Sequence, residues 1–324
     1  MKRKWGKFPT AVFIYLAVIL ALIFLSSCSH ITPHKLADQI SKVRIKDRIE
    51  EFSSFQTRQF NTVTGKEAAE RLVERLQECA GDKAEIEIID HTITKRFDEH
   101  PSKIFKADDW IMPSVIARLK GTDPKRGSVI IGGHLDSLNG GAFHDPSIPN
   151  ISPGADDNAS GIAVALEVFC RLAKLDAKPK ATVEFMAYSA EEVGLWGSNE
   201  ISQWYKGEGR KVQAVIQLDM LLYSKSNAID LIRDNTDPVL TKLAAYIAKD
   251  LGYPVTYSKC GYKCSDHASW TDAGYPSVFL FETKERGNPN IHTERDTLEN
   301  APNEKHAAQF GRVAIILIWE LAYE

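Results

Sequence analysis

The stretch KATVEFMAYSAEEVGLWGSNEISQWYK (residues 180–206) contains the features that decide the fold. Its first part is an apolar run typical of a buried strand, and the part from Glu191 onward has its apolar residues at helical spacing. Between the two, Glu191 and Glu192 stand side by side. Adjacent carboxylates at the exit of a buried strand must be hydrated, paired or bound to a cation. Taken alone, the pair is a favourable helix N-terminus.

Strands and helices alternate on both sides of this stretch. The other strand patterns are AEIEIID (84–90), SVIARLKG (114–121), GSVIIGGH (127–134), VQAVIQLDM (212–220) and PSVFLFE (276–282). The other helix patterns span residues 35–52, 64–81, 158–175, 237–252 and 302–321. Alternation of this kind predicts a three-layer α/β/α sandwich with a mixed, mostly parallel central sheet. No repeat or clear linker interrupts it, so we expect a single domain over residues 35–324.

The composition is that of an ordinary globular protein. The 324 residues are 44% hydrophobic and 26% charged, which permits one large α/β domain with a substantial core. The net charge of −3 and the absence of Lys/Arg runs give no indication of nucleic-acid binding. We expect a monomer.

The N-terminus has the parts of an export signal. Four basic residues among the first seven precede an apolar run over 11–25, and LSSC ends at Cys28. This ending resembles a bacterial lipobox, which implies a signal peptide over 1–27, a lipid on Cys28 and a tether over 28–34. The chain would then be an exported lipoprotein anchored to a membrane of the bacterial cell envelope. An uncleaved membrane anchor is the alternative, since the run is of marginal length for a bilayer.

Besides Cys28, the chain has four cysteines, which form two groups. Cys79 and Cys170 sit in apolar helical patterns, and we expect buried thiols. Cys260 and Cys264, in CGYKC, lack the second cysteine pair that would complete a metal site. In an exported protein, we expect them to form a small disulfide loop.

Potential metal ligands recur where predicted strands end. In open α/β sheets, ligands bind beyond the carboxyl ends of the strands. Each residue has an ordinary alternative: Asp156 or Asp157 can cap the following helix, Asp219 can be a turn residue, and most histidines are not ligands. Together they form a mixed nitrogen and oxygen set suited to Zn²⁺. The set comprises His134, Asp136, Asp156, Asp157, Glu191, Glu192, Asp219 and His292.

An ordered series of motifs resembles the secreted bacterial dizinc leucyl aminopeptidases. The matching strings lie between residues 132 and 298: GGHLDS, PGADDNASGIA, FMAYSAEEVGLWGS, QLDM, CGYKCSDHASW, AGYP and IHTERDTL. The resemblance implies the zinc-exopeptidase (phosphorylase/hydrolase-like) fold and hydrolysis of an N-terminal peptide bond. It also implies two zinc ions per chain and peptide substrates.

The resemblance assigns a role to each site residue. One zinc would be held by His134, Asp157 and Asp219, and the other by Asp157, Glu192 and His292. Glu191 would be the general base. Asp136 would accept the other ring N–H of His134, and Asp296 that of His292. The bond Asp157–Asn158 would be cis.

The resemblance also implies an apolar pocket for the first residue of the substrate. Its lining would select large hydrophobic side chains, although two of its phenylalanines could equally be ordinary strand core. The lining would consist of Met220, Tyr262, Phe279, Phe281 and Ile291. The chain differs in length from the family at residues 95–113, 138–152 and 282–290.

Three other functions stay open at this point. A single-zinc glutaminyl cyclase, a carboxypeptidase or dipeptidase variant, and a non-enzymatic binding lipoprotein can all use this fold. The complete set of ligands together with Glu191 favours the aminopeptidase, because a one-metal enzyme or a binding module has no need of all of them.

Overall fold

A computed structural model describes residues 32–92, 111–145, 147–224, 226–283 and 287–324. The signal segment 1–27, Cys28 and most of the long stretch 95–113 lie outside these ranges, so the expectations about them stay predictions. The predicted tether overlaps the first helix, which begins at Pro33. Within the described ranges, no helix combines the length and the apolar character required to cross a bilayer.

The described residues form one eight-stranded sheet flanked by helices. The strands are β1 Glu85–Thr92, β2 Ile111–Leu119, β3 Ser128–His134, β4 Thr182–Tyr188, β5 Val212–Asp219, β6 Ile229–Ile232, β7 Val255–Ser258 and β8 Ser277–Phe281. The helices are α1 Pro33–Ala37, α2 Lys42–Ser53, α3 Val63–Ala80, α4 Gly140–His144, α5 Gly161–Ala173, α6 Trp196–Gly207, α7 Pro238–Asp250, α8 His267–Ala273 and α9 Glu304–Ala322. A π-helical segment, Ala155–Ser160, leads into α5.

The sheet is mixed, with a parallel centre. The strand order is β1-β2-β4-β3-β5-β8-β6-β7. The four central strands β4, β3, β5 and β8 are mutually parallel. The antiparallel pairs lie toward the edges of the sheet: β1 with β2, β2 with β4, and β6 with β8. This confirms the predicted mixed, mostly parallel sheet.

Two apolar clusters cover the two faces of the sheet. The larger contains residues of α1, α2, α3, α5, α7 and α9, and the smaller contains residues of α6 and α8. Trp270 of α8 and Tyr205 of α6 meet edge to face in the smaller cluster, with ring centroids 5.3 Å apart. Helices on both faces of one sheet confirm the three-layer sandwich.

Local sequence signals place most helix ends. The Thr62 hydroxyl accepts the Gly65 N–H at 3.0 Å and begins α3, and Gly81, with φ 52°, ends it. The predicted helix over 35–52 is two helices, because the chain turns at residues 38–41 between α1 and α2. The predicted helix from Glu191 begins only at Trp196, after a turn in which Ala190 and Leu195 adopt positive φ.

The expectation for Cys79 and Cys170 was wrong. Their sulfurs form a disulfide that joins α3 to α5, with Cα atoms 5.4 Å apart. The two helices pack side by side on the same face of the sheet, which brings residues 91 apart in sequence into bonding distance. Helical periodicity places each cysteine on a buried face but does not show which residue it meets there.

Candidate active site

Four predicted site residues lie at the carboxyl ends of the central strands. His134 is the last residue of β3, and Asp219 is the last residue of β5. Glu191 and Glu192 follow Tyr188, the last residue of β4. Because these strands are parallel neighbours, their ends meet at one edge of the sheet.

The loop that carries Asp157 packs against this edge through Asn158. The bond Asp157–Asn158 is cis, as expected. The Asn158 side chain donates to the Leu218 carbonyl at 3.0 Å and accepts the Gly161 N–H at 2.9 Å. A Cβ on Gly133 would stand 2.4 Å from that same carbonyl oxygen, so only glycine permits β3 to pass this close to β5.

Two triads of potential ligands share Asp157. Nε2 of His134 lies 3.1 Å from Oδ1 of Asp157 and 3.4 Å from Oδ1 of Asp219. Nε2 of His292 lies 3.2 Å from Oδ2 of Asp157 and 2.9 Å from Oε2 of Glu192. In each triad the ligand atoms lie within 4.8 Å of one another. Each oxygen of Asp157 therefore faces a different triad.

The surroundings of these groups fit bound cations. Burial raises the pKa of Glu192 to about 7, and the neighbouring charge of Asp157 acts in the same direction. The second carboxylate oxygen of Glu192, Oε1, is buried and has no hydrogen-bond partner in the described part of the chain. Burial acts to lower the pKa of His292, but hydrogen bonds to Asp157 and Glu192 outweigh it and raise this pKa to about 11, so the carboxylates around His292 favour a positive charge at this point. A carboxylate oxygen left without a donor among buried anions is a ready ligand, and imidazole with carboxylate suits zinc.

Glu191 and Glu192 point to different surroundings, although they are adjacent. Both line the cavity, but Glu192 belongs to the second triad, whereas Glu191 belongs to neither. Desolvation raises the pKa of Glu191 well above its ordinary value. A carboxyl group of this kind, free of the ligand sets, is suited to proton transfer.

Asp136 contacts the site in two ways. The nearest acceptor for Nδ1 of His134 is the backbone oxygen of Asp136, at 3.1 Å, while its carboxylate Oδ1 is 3.7 Å away. The carboxylate accepts instead the backbone N–H groups of Glu191 at 3.1 Å and Glu192 at 3.3 Å. Asp136 therefore orients both the His134 ring and the turn that presents the two glutamates.

The expectation for Asp296 was wrong, because in the described part of the chain its carboxylate forms no hydrogen bond or ion pair with His292. Its carboxylate accepts the backbone N–H groups of Asp156 at 3.1 Å and Asp157 at 3.0 Å. It thus fixes the residue shared by the two triads. Asp296 has these partners because it lies on a turn that packs against the Asp157 loop. Without its carboxylate, the two backbone N–H groups would be buried with no acceptor.

Two polar contacts were missed from sequence. The Ser265 hydroxyl donates to Oδ2 of Asp219 at 2.7 Å, and its only sequence signal was its place in the CSDH motif. The Asn288 side chain donates to Oδ2 of Asp156 at 3.0 Å, and no signal pointed to it. Asp156 itself does not cap a helix, because its other oxygen accepts the Leu222 N–H at 2.9 Å.

A cavity of about 450 Å³ opens beside the triads. It is lined by all five predicted pocket residues: Met220, Tyr262, Phe279, Phe281 and Ile291. Leu195, for which no sequence signal pointed to the pocket, also lines it. Tyr262 is 70% exposed, so this side chain stands at the mouth and the other four form the wall.

The disulfide Cys260–Cys264 is present and shapes this mouth. It closes the short loop that carries Tyr262. The Asp234 carboxylate accepts the N–H groups of Cys260 at 3.0 Å and Gly261 at 2.7 Å. The disulfide and these two backbone hydrogen bonds therefore both fix the conformation of the loop.

Comparisons with known proteins identify relatives of this chain that are peptidases. The profile of peptidase family M28 matches residues 114–318. Leucine aminopeptidase 1 of Uncinocarpus reesii is 37% identical in an alignment of 303 positions that covers 89% of this chain and 72% of that protein. The crystal structure of LapB from Legionella pneumophila superposes with a TM-score of 0.76 at 30% identity, covering 90% of this chain and 75% of that one.

A glutaminyl cyclase from Porphyromonas gingivalis also superposes, with a TM-score of 0.72 over 86% of this chain and 98% of that one. At 19% identity this likeness shows the fold alone. The matched region 114–318 includes both triads, Glu191 and the whole cavity wall. The chain belongs to peptidase family M28.

Proposed function

We propose that this peptidase is a metal-dependent aminopeptidase that removes large hydrophobic residues from the N-terminus of peptides with two zinc ions. The observation that carries the proposal is the arrangement of two ligand triads around Asp157, with Glu191 standing free beside them. The leucine aminopeptidases among its relatives support the same reaction.

The ligands divide between two ions. His134 and Asp219 would hold one, Glu192 and His292 the other, and Asp157 would bridge them with its two oxygens. Zinc, when bound, polarises a carbonyl and lowers the pKa of water toward neutrality. The backbone and side-chain contacts of Asp136 and Asp296 keep these ligands in place before any substrate arrives.

Glu191 would move the proton. Its carboxylate accepts a proton from the attacking water and returns it to the nitrogen of the leaving amine, as a general base that becomes a general acid. The two adjacent carboxylates can have different roles because Glu192 belongs to the second triad and Glu191 belongs to neither. The excess of carboxylates around the cavity favours a substrate with a free, positively charged α-amino group.

The cavity wall would set the preference for the first residue. Met220, Phe279, Phe281 and Ile291 present apolar surface and no charge. Such a wall favours leucyl and phenylalanyl residues, whereas lysyl or aspartyl residues would bury an unpaired charge. One missing methylene in an apolar pocket costs about tenfold or more in kcat/KM.

Hydrolysis of p-nitroanilides by the purified full chain tests the proposal. We expect kcat/KM to be at least about tenfold higher for leucyl than for alanyl p-nitroanilide. We also expect no cleavage of aspartyl or N-acetyl-leucyl p-nitroanilide, and loss of activity in the presence of a zinc chelator. Cleavage of the N-acetylated substrate would contradict an aminopeptidase. Cyclisation of a glutaminyl peptide without leucyl hydrolysis would instead support the cyclase alternative.

A further inference from the structure

Arg58 is a buried charge outside the region that the family profile matches. It lies between α2 and α3, in the segment that precedes residues 114–318, and only 1% of it is exposed. Arginine is almost never fully buried unless it is paired. None of its hydrogen bonds in the described part of the chain goes to a carboxylate. A site that keeps such a charge out of water has to offset a large desolvation cost.

The guanidinium of Arg58 is held by backbone carbonyls from three segments. Nε donates to Leu135 at 2.9 Å, Nη2 to Gly154 at 2.9 Å, and Nη1 to both Phe52 and Pro153. Because the guanidinium is planar and its donors point in fixed directions, these bonds set the separation of the segments.

Two of these segments carry the proposed zinc ligands. Leu135 lies between His134 and Asp136, while Pro153 and Gly154 lead directly into the loop of Asp157. The Arg58 side chain therefore connects the strand end that supplies His134 to the loop that supplies the bridging ligand.

Further hydrogen bonds join the same segments. The Ser137 hydroxyl accepts the backbone N–H of Arg58 at 3.0 Å and donates to the Ser152 carbonyl at 2.8 Å. The Ser152 N–H in turn donates to the Gln56 carbonyl at 2.8 Å. A Cβ on Gly154 would stand 2.9 Å from Nη2 of Arg58, so the packing leaves no room for a side chain there.

The charge of Arg58 also lies near the carboxylates of the site. Burial lowers the pKa of its guanidinium to about 10, so it stays protonated at neutral pH. The surrounding carboxylates act against that lowering, and they belong to Asp296, Asp136, Asp157 and Glu192. A fixed positive charge beneath these groups reduces their mutual repulsion while they are held ready for cations.

We infer that Arg58 is a positioning residue of the two-metal centre, which bridges the His134 strand end and the Asp157 loop and so sets the geometry in which both bind zinc. The inference rests on the proposed function, since it presumes that the two triads bind zinc. Groups that orient metal ligands typically change metal affinity by 10–100-fold when they are replaced.

Zinc affinity of the metal-free full chain, measured by competition with a chromophoric chelator, tests this inference. For Arg58→Met we expect the dissociation constant of at least one zinc site to rise about 10–100-fold. For Arg58→Lys we expect a smaller rise, because the charge is kept but the fork of donors is lost. The thermal midpoint of each variant is measured in parallel.

Arg118→Met is the matched control. Arg118 pairs with Glu184 at 3.0 Å and Glu87 at 2.8 Å, and Glu184 lies near the start of β4, away from the strand end that leads to the site. We expect this variant to lose thermal stability without a change in zinc affinity. If Arg58→Met does not fold, the zinc affinities of Arg58→Lys and Ser137→Ala are compared with that of Arg118→Met instead.

Three outcomes would overturn the inference. Unchanged zinc affinity in the folded Arg58 variants would leave the proposed function standing and reduce Arg58 to a stability role. An equal loss of affinity in Arg118→Met would show that general destabilisation is the cause. An unaltered chain that binds no zinc would overturn the proposed function and this inference with it.

Discussion

The Glu191→Gln variant is expected to hydrolyse leucyl p-nitroanilide with a kcat about 10²–10⁴-fold below that of the unaltered chain. Its zinc content should be the same. Glutamine keeps the size of the side chain but cannot accept and return a proton, and Glu191 belongs to neither ligand triad. Steady-state kinetics and metal analysis on the same preparation measure both quantities.

Glu192→Gln is the matched comparison, because it makes the same chemical change at the adjacent residue. Glu192 lies 2.9 Å from Nε2 of His292 in the second triad, so this variant should lose zinc as well as activity. Two variants with the same zinc content and the same residual activity would contradict the division of roles between these glutamates.

The Asp157→Ala variant is expected to lose both zinc ions and all measurable peptidase activity. Oδ1 of Asp157 faces the His134 triad and Oδ2 faces the His292 triad, so one substitution removes a ligand from each. Without the shared anion, two zinc ions at these sites would also repel each other more strongly. Equilibrium dialysis against zinc, followed by metal analysis, measures the effect.

Asp156→Asn provides the control within the same loop. The Asp156 carboxylate accepts the Leu222 N–H and the Asn288 side chain and belongs to neither triad. An asparagine oxygen can still accept one of these bonds, so this variant should retain its zinc. Retention of two zinc ions by Asp157→Ala would show that this residue is not a bridge.

The sheet and the positions of the candidate ligands at its edge could be predicted because each has a local signal. The run ending at His134 is apolar and β-rich, and the runs ending near Glu191 and Asp219 are equally so. Strand ends of a parallel sheet converge, so residues that follow them are neighbours in space even when they are far apart in sequence.

The short strands β6 and β7 had no such signal. Each has four residues, and β7 at the edge of the sheet is largely exposed, so neither shows an apolar run long enough to recognise. Only the pairing of β6 with β8 and with β7 reveals them.

The polar contacts around the site depend on the packed structure. Asp296 contacts the Asp157 loop from 139 residues away, and Arg58 contacts Gly154 from 96 residues away. The Cys79–Cys170 bond spans 91 residues. Periodicity shows which face of an element is buried, but only the fold shows which residues meet there.

Titration of the metal-free full chain with zinc, while hydrolysis of leucyl p-nitroanilide is followed, tests whether the peptidase works with two zinc ions. We expect activity to rise with added zinc and to become constant at two equivalents per chain. Full activity at one equivalent, or no release of p-nitroaniline at two or more equivalents, would contradict it.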